Sequence, residues 1–535
     1  MKRTKLIIGL FMVTASAINA QTLTDAIKLT TNEQFEKADA AFKVLIAAQP
    51  TNGEIYFYYG ENYFKKENLG MANTMYQKGA DVNATNPFCY VGLGKVQWEQ
   101  GKTADAKANF FKATTLAAGK NATVLWKIAE EYINADTKNL TDAFTLLAQA
   151  AKLEPNNSEI YIQTGDAFLE QNNNGTSAID NYEKAGKLDP KSPRALIKQG
   201  QLYNRAKNYP LALDFYNKAK LIDSTFAPAY RERAEIYFRG GQFKNAVANY
   251  KKYLELNNDC TALGRYAGFL NRAKEYEESI KNANEALKCD PNNVFLLRYL
   301  AYDYYDSPTP NYPSGLDNSN LFFTKTATMP DFKIIPQDYE YHAKLLSKGG
   351  KDSLAILDYK KALQLQPDKV ELNGDIANEY IKMKKYPEAI AAYKDKMAKS
   401  KPSINDYFGL TRAYYFSKDF INADSAAYKM IGVDTNQVYG YLWRAKSNSQ
   451  LDPKNEKWSA KPYYEKYISK ATTTPADVEK NKKDLVDAYN YLGVYYLNHK
   501  DNCTAKIQFL KVQGLDPTNS NAKKFLESPE AKKCP

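Results

Sequence analysis

Small, apolar and aromatic positions recur along this chain in two nested rhythms. Within short windows they fall three and four residues apart, the spacing that lines up side chains on one face of a helix. The windows themselves return about every 34 residues. One column is small almost throughout: Ala26, Gly60, Gly94, Ala129, Gly165, Gly200, Ala234, Ala267, Ala301, Ala343, Ala377, Thr411, Ala445 and Gly493. The steps are 34, 34, 35, 36, 35, 34, 33, 34, 42, 34, 34, 34 and 48. Taking that column as position 8, a second small column follows at position 20, as in Ala38, Ala72, Ala106, Ala212 and Ala505. Rings dominate position 24 (Tyr76, Phe110, Tyr182, Tyr216, Tyr250) and position 11 (Tyr63, Tyr132, Tyr203, Tyr237). This predicts two helices per repeat and about fourteen repeats over residues 21–518.

The columns have a packing reason. Two helices of a hairpin approach closely where small residues face each other, which positions 8 and 20 supply, and the rings at 11 and 24 fill the space beside that contact. Proline near position 32, as at Pro50, Pro155, Pro190, Pro291, Pro367 and Pro517, ends the second helix because it has no amide to donate. Tyr489, Leu492, Gly493, Tyr496, Ala505, Phe509 and Pro517 give the whole motif in order, and the pattern resembles the tetratricopeptide repeat (TPR) family. The resemblance implies a right-handed all-α superhelix, or α-solenoid, whose first helices line a concave groove for peptides at positions near 2, 5, 6, 9, 12 and 13. Ser520–Glu527 reads as the solvating cap helix that a solenoid end requires.

The ends and interruptions divide the chain. Lys2, Arg3 and Lys5 precede an apolar stretch, Leu6–Val13, and Ile18-Asn19-Ala20 is a plausible cleavage site. Residues 1–20 are therefore expected to be a signal peptide, since the apolar run is too short to span a bilayer. That predicts an exported protein, periplasmic in a Gram-negative bacterium or released outside the cell, with no membrane span. The first long step falls in 306–337, where Pro308, Pro310, Pro313, Pro330 and Pro336 cluster. So dense a cluster cannot be continuous helix. We read it as an insertion, a kink or a lid between one solenoid over 21–305 and another over 338–535. The second long step is assigned to Gln450–Ser459, which lengthens one turn.

Composition narrows the chemistry. The net charge of +12 leaves 70 basic against 61 acidic residues once the first twenty are set aside. An exported location argues against nucleic acid, so acidic proteins or peptides, anionic glycans or anionic lipid head groups are the expected partners. Five cysteines enter an oxidising compartment. Cys260 and Cys289 fall at opposite ends of an antiparallel hairpin, and Cys534 follows a cap helix running back towards Cys503. Disulfides Cys260–Cys289 and Cys503–Cys534 are expected, with Cys89 free, although spacing alone does not fix connectivity. Two histidines, no CxxC, no phosphate-binding glycine loop and no GxSxG elbow leave no support for catalysis, a metal or a cofactor.

Arginine is the sharpest functional signal. Of 11 arginines among 62 lysines, eight lie between Arg194 and Arg298, all on first helices by the register above. Arg194 takes position 2, Arg231 and Arg298 position 5, Arg265 position 6, and Arg205, Arg239 and Arg272 position 13; Arg233, at 7, points to the packing. The guanidinium fork grips carboxylates bidentately and stacks on rings. Tyr299, Tyr302 and Tyr305 would extend that basic, aromatic ladder. A competing reading is that these arginines pair with neighbours such as Glu232, Glu235 and Asp303 and brace the superhelix. The Lys–Asn pair at positions 5 and 9, by which proteins of the resembled family capture chaperone C-termini, is missing: the pairs read Phe57/Glu61, Ile197/Gln201, Arg231/Glu235, Arg298/Tyr302 and Gly374/Asn378. The expected function is a non-enzymatic scaffold or adaptor of the cell envelope, holding protein partners in secretion, assembly or surface maintenance. The alternative is an envelope protein binding acidic glycan or peptidoglycan through the same groove.

Overall fold

The computed structural model describes residues 22–257 and 259–535; the signal peptide expected over 1–20 lies outside them. Among the described residues there are 31 helices and no strand. They pair as antiparallel hairpins, for example Gly53–Lys65 with Leu69–Val82, Pro87–Glu99 with Thr103–Leu116, and Ala227–Arg239 with Phe243–Leu256. Within each unit second helices then pack on the first helix of the next repeat, as Leu69–Val82 does on Pro87–Glu99 and Asp352–Leu365 on Leu372–Lys382. The fold is an α-solenoid. Residues up to Tyr299 and from Leu300 onward form two compact units, the division falling inside helix Val294–Asp306.

Local chemistry sets the helix boundaries. Asn52, Asn86, Asn121 and Asn157 cap successive first helices by accepting from a backbone amide two or three residues on. Asn68, Asn139, Asn174 and Asn208 do the same for second helices. The turn between the two helices needs a left-handed residue, supplied by Glu67 (φ 59°), Gly101 (φ 74°), Lys207 (φ 60°) and Gly241 (φ 70°).

The small column works more directly than the sequence pattern implies. A Cβ added at Gly60 would lie 2.3 Å from the Tyr76 ring, one at Gly165 would lie 2.4 Å from Tyr182, and one at Gly200 would lie 2.3 Å from Tyr216. The ring at position 24 thus lies on position 8 itself, beside the contact between positions 8 and 20 that Ser279 makes by donating to the Ala267 carbonyl at 2.9 Å. Tyr76, Tyr182 and Tyr216 are fully buried there. Two of their hydroxyls donate to the carboxylate at position 9 of the same repeat, Tyr76 to Glu61 at 2.7 Å and Tyr182 to Asp166 at 2.6 Å.

In the second unit, the proline-rich segment contains helix Tyr312–Thr326. Pro313 sits in its first turn, where a missing amide costs nothing. Ser319 and Phe322 are buried, while Phe323 lies beside the rings of Tyr339 (5.0 Å) and His342 (4.9 Å). The step of 48 has two sources, not one. The turn after Leu451 is organised by the Asp452 carboxylate, which accepts from the amides of Glu456, Lys457 and Ser459. A short extra helix, Pro475–Lys480, which the pattern did not reveal, takes up the rest. At the end, helix Ser520–Leu526 packs Phe525 on Phe509 at 5.1 Å, and Pro529–Lys532 leads to Cys534. Cys503 and Cys534 are bonded, with Cα atoms 5.2 Å apart, as are Cys260 and Cys289 at 6.1 Å. Cys89 is free, and burial pushes its thiol up to about 12.

Candidate functional site: the inner faces of the two units

The first unit closes on itself. The turn of repeat 1, Asn32–Gln34, seats against the junction of repeats 6 and 7. The Asn32 amide donates to Asp223 (3.2 Å) and Thr225 (3.3 Å), Gln34 donates to the Thr225 carbonyl (2.9 Å), and the Ala227 amide donates to the Asn32 carbonyl (3.3 Å). Lys28 pairs with Asp223 at 3.0 Å. Arg231 grips Glu33 with two parallel bonds of 3.2 and 3.0 Å across 198 residues of sequence. Asn32, Gln34, Phe226 and Ala227 are buried by this seam. Partial burial opposes ionisation of Asp223, but hydrogen bonds from Thr225 and Asn32, with Lys28, hold it at about 2.

Inside that turn lies a buried set of charges. Lys95 donates to both Glu61 oxygens (3.0 and 3.2 Å), and Lys127 to Glu61 (2.9 Å) and Glu130 (3.4 Å). Two carboxylates and two ammoniums balance, and Tyr76 completes the shell of Glu61. Burial works against every one of these charges. The ammoniums of Lys127 and Lys95 nonetheless hold Glu61 far below the ordinary carboxylate range and Glu130 at about 2. The neighbouring Glu131 lacks such a partner. Its Oε1 is buried without a hydrogen bond, and burial pushes its pKa up to about 8.

These charges form one wall of a chamber of about 560 Å³. Ile27, Tyr58, Trp126 and Phe226 give it apolar surface, while Lys65, Lys127, Glu130 and Arg194 give it charge. Lys65 is wetted by the chamber rather than packed in protein, yet confinement and the nearby Arg194 guanidinium push its pKa down to about 8. A larger cavity of about 700 Å³ among Leu69–Lys112 has a mixed lining in which Asn109 donates to Gln97 (2.8 Å) and Gln77 to Asp81 (2.7 Å).

The arginines singled out in the sequence are distributed unevenly in this architecture. Arg194 pairs with Glu159 (3.0 Å), Arg205 with Glu170 (3.5 Å), Arg231 with Glu33 and Glu232, and Arg265 bidentately with Glu235 (2.8 and 2.6 Å). These four brace adjacent or distant repeats. Arg239 is exposed and donates to Asn204 at 3.3 Å, and Arg272 is exposed near a helix end. Arg298 lies over Phe295 with 5.6 Å to the ring centre. Tyr299, Tyr302 and Tyr305 stand at three-residue intervals on the helix Val294–Asp306. Tyr299 is half-buried against Gly268 in the first unit. Tyr302 is buried in the second, where it donates to Asp338 (2.5 Å) and stacks on Tyr341 (4.2 Å). Tyr305 sits at the edge of Tyr341 (5.8 Å).

Tyr305 also lines a groove of about 400 Å³ on the inner face of the second unit, with Lys344, Lys348, Asp375, Lys382 and Arg412. Lys344 pairs with Glu340 (2.6 Å) and Lys382 with Glu379 (2.9 Å). Arg412 has no carboxylate partner among the described residues and lies 5.7 Å from the centre of the Phe408 ring. Burial and the charges of Glu340 and Glu379 raise the pKa of Asp375. Arg412 stands at position 9 of repeat 12. The register could have found it; its isolation from the arginine cluster concealed it. Among the described residues no group of three or more His, Cys, Asp or Glu is placed to hold a metal, and no helix is long and apolar enough to cross a membrane.

Models of the tetratricopeptide repeat match residues 162–231 and 227–260. With the same hairpin repeated throughout the described chain, the protein belongs to the tetratricopeptide repeat family. A TPR repeat-containing protein of Methanocaldococcus jannaschii is 25% identical over 296 residues, 55% of this chain and 47% of its own. Hsp70-Hsp90 organizing protein 1 of Glycine max is 26% identical over 248 residues, 44% of this chain and 42% of its own. The chain thus spans about half the length of these curated relatives. Among solved structures, the C-terminal part of a TPR repeat-containing protein from Cytophaga hutchinsonii is 30% identical, covering 50% of this chain and all of that one, with a TM-score of 0.44.

Proposed function

We infer that this chain is a non-enzymatic protein-binding scaffold of the bacterial cell envelope, presenting its inner helices to acidic segments of partners in secretion, assembly or surface maintenance. The observation that carries this reading is Arg412, a guanidinium without a carboxylate of its own in a groove that also displays Lys344, Lys348 and Lys382. Such a fork is suited to a carboxylate supplied from outside. Exposed Arg239 and Arg272 offer the same chemistry in the first unit. One relative is named for organizing Hsp70 and Hsp90, which supports a role in bringing proteins together. The two disulfides support an oxidising location.

The test is crosslinking with mass spectrometry in the native cell. Arg412→Glu with Lys348→Glu should remove most partner crosslinks from the second unit, and Arg239→Glu with Arg272→Glu those from the first. An unchanged partner set in both variants, with unchanged helicity, refutes the reading. Loss of sacculus association in place of protein crosslinks would favour the glycan alternative.

A further inference from the structure

The first helices of repeats 12 and 13 carry a group of rings that packing does not bury. Phe408, Tyr415 and Phe416 stand on helix Ile404–Phe416 at positions 5, 12 and 13, and Tyr439 and Trp443 on helix Val438–Leu451 at positions 2 and 6, the row that faces the groove. Trp443 is the hub, with ring centres of Tyr415 at 5.1 Å, Phe416 at 6.1 Å and Phe408 at 6.3 Å; Tyr439 lies 5.8 Å from Phe408. Phe408, Tyr415, Tyr439 and Trp443 are half-buried and Phe416 is 44% exposed. A contiguous apolar patch left open to water marks an interaction surface, and Trp, Tyr and Arg are the residues that anchor one.

Arg412 stands among these rings, over Phe408. It is half-buried, its guanidinium has no hydrogen bond or ion pair among the described residues, and none of its nitrogens is sealed from solvent. The acids nearby are engaged elsewhere: Asp406 with Lys396 and Ser403, Asp424 with Arg444, and Asp484 with Lys446. Asp375 and Asp487 have no ion pair, but the cations that act on them are Lys344 and Lys396 for the first and Lys446 and Lys483 for the second. The fork is open to a carboxylate from outside, and the rings beside it are open to an apolar neighbour of that carboxylate.

We propose that this face binds an extended protein segment in which a carboxylate side chain stands next to an aromatic one, the carboxylate on Arg412 and the ring among Phe408, Tyr415, Phe416 and Trp443. The proposal rests on the scaffold reading of the same inner face and names the chemistry of the partner. Ring geometry favours a side chain over a sugar. Tyr415, Phe408 and Phe416 stand at 72°, 76° and 78° to the Trp443 plane, so the group offers edges and clefts that a further ring enters edge-to-face rather than a flat platform for a pyranose.

Fluorescence anisotropy of labelled, capped short peptides with the full chain tests this. The peptides carry aspartate beside phenylalanine, in both orders, between glycine and serine. At least one order should bind at least tenfold more tightly than its counterparts with asparagine for aspartate or alanine for phenylalanine, a comparison made on the unaltered protein. Arg412→Met and Trp443→Leu should each weaken that peptide at least tenfold, while Lys399→Met, which removes a lysine paired with Asp395 on the second helix Tyr386–Lys399, should leave binding unchanged. No binding of either acidic aromatic peptide at about 1 mM, equal binding of the counterparts, or full binding by Arg412→Met with intact helicity overturns the proposal. So does tighter binding of an oligosaccharide of glucuronate and N-acetylglucosamine, which makes the ligand a glycan. If the peptides fail while Arg412→Glu with Lys348→Glu still removes partner crosslinks, the partner chemistry assigned here is wrong and the scaffold reading stands; an unchanged partner set removes both.

Discussion

The two units are built from one hairpin and use their inner faces in opposite ways. In the first, position 9 of successive repeats reads Glu61, Lys95, Glu130, Asp166, Gln201 and Glu235. Most of these side chains bond across the interior: Glu61 to Lys95 and Lys127, Asp166 to Lys198 (2.7 Å), and Glu235 to Arg265. In the second, the same position reads Tyr302, Lys344, Asn378, Arg412 and Lys446. Arg412 there remains uncommitted, while Lys344 pairs with buried Glu340 (2.6 Å) and Lys446 with the more exposed Asp484 (2.6 Å). A repeat scaffold can therefore spend one row of positions either on cohesion or on display. The sign of the row and the presence of buried counterions decide which.

The largest test of this contrast is removal of one ammonium from each unit. Lys127→Met leaves Glu61 and Glu130 short of a partner in a buried site and should cost about 3–5 kcal/mol. Hydrogen exchange should show the loss in the first unit. The counterpart Lys382→Met breaks an ion pair whose lysine is 48% exposed and should cost under about 1 kcal/mol.

A smaller effect separates packing from charge. Gly60→Ala drives a methyl into the Tyr76 ring, which is pinned by its bond to Glu61, and should cost about 1–3 kcal/mol by thermal or chemical unfolding. Gly514→Ala in the second unit meets nothing within 4 Å and should gain up to about 1 kcal/mol from helix propensity. Equal effects at the two sites would remove the close contact as the reason for the small column.

The smallest effect is a pH slope. The pKa of Glu131 in the folded chain, about 8, lies above its ordinary value of 4.5. Folding therefore favours its protonated form, and its contribution is complete below 4.5 and lost as the pH rises towards 8. Glu61 and Glu130 run the other way: their contribution is complete above the ordinary range and lost as the pH falls. Glu131→Gln should raise stability at pH 8 by about 1 kcal/mol or more and leave it nearly unchanged at pH 4, flattening the slope between. An unaltered slope would mean that Glu131 ionises freely.

The solenoid was legible in the sequence because its packing is local. Gly60 meets Tyr76 sixteen residues on, and that short-range pairing repeats often enough to be seen in one chain. The seam of the first unit was not legible. Asn32 reaches Thr225 across 193 residues through an amide and a hydroxyl, residue types that carry no period. For the same reason Arg231, read from the register as a groove residue, meets Glu33 instead: the register specifies a helix face, not what the superhelical turn brings opposite it. Pro475–Lys480 was hidden because a six-residue helix has too few turns to show a hydrophobic stripe.

The contact between repeat 1 and repeats 6 and 7 also changes how the first unit should come apart. A linear array joined only through adjacent members can unravel from either tip, one member at a time. Here the first member is fastened to a distant one, so its release requires the seam to break, and its formation must wait until the intervening members are in place. The amino-terminal tip is held like the middle of a loop, so the first unit is expected to melt as one block, whereas no such seam joins distant repeats of the second unit among the described residues.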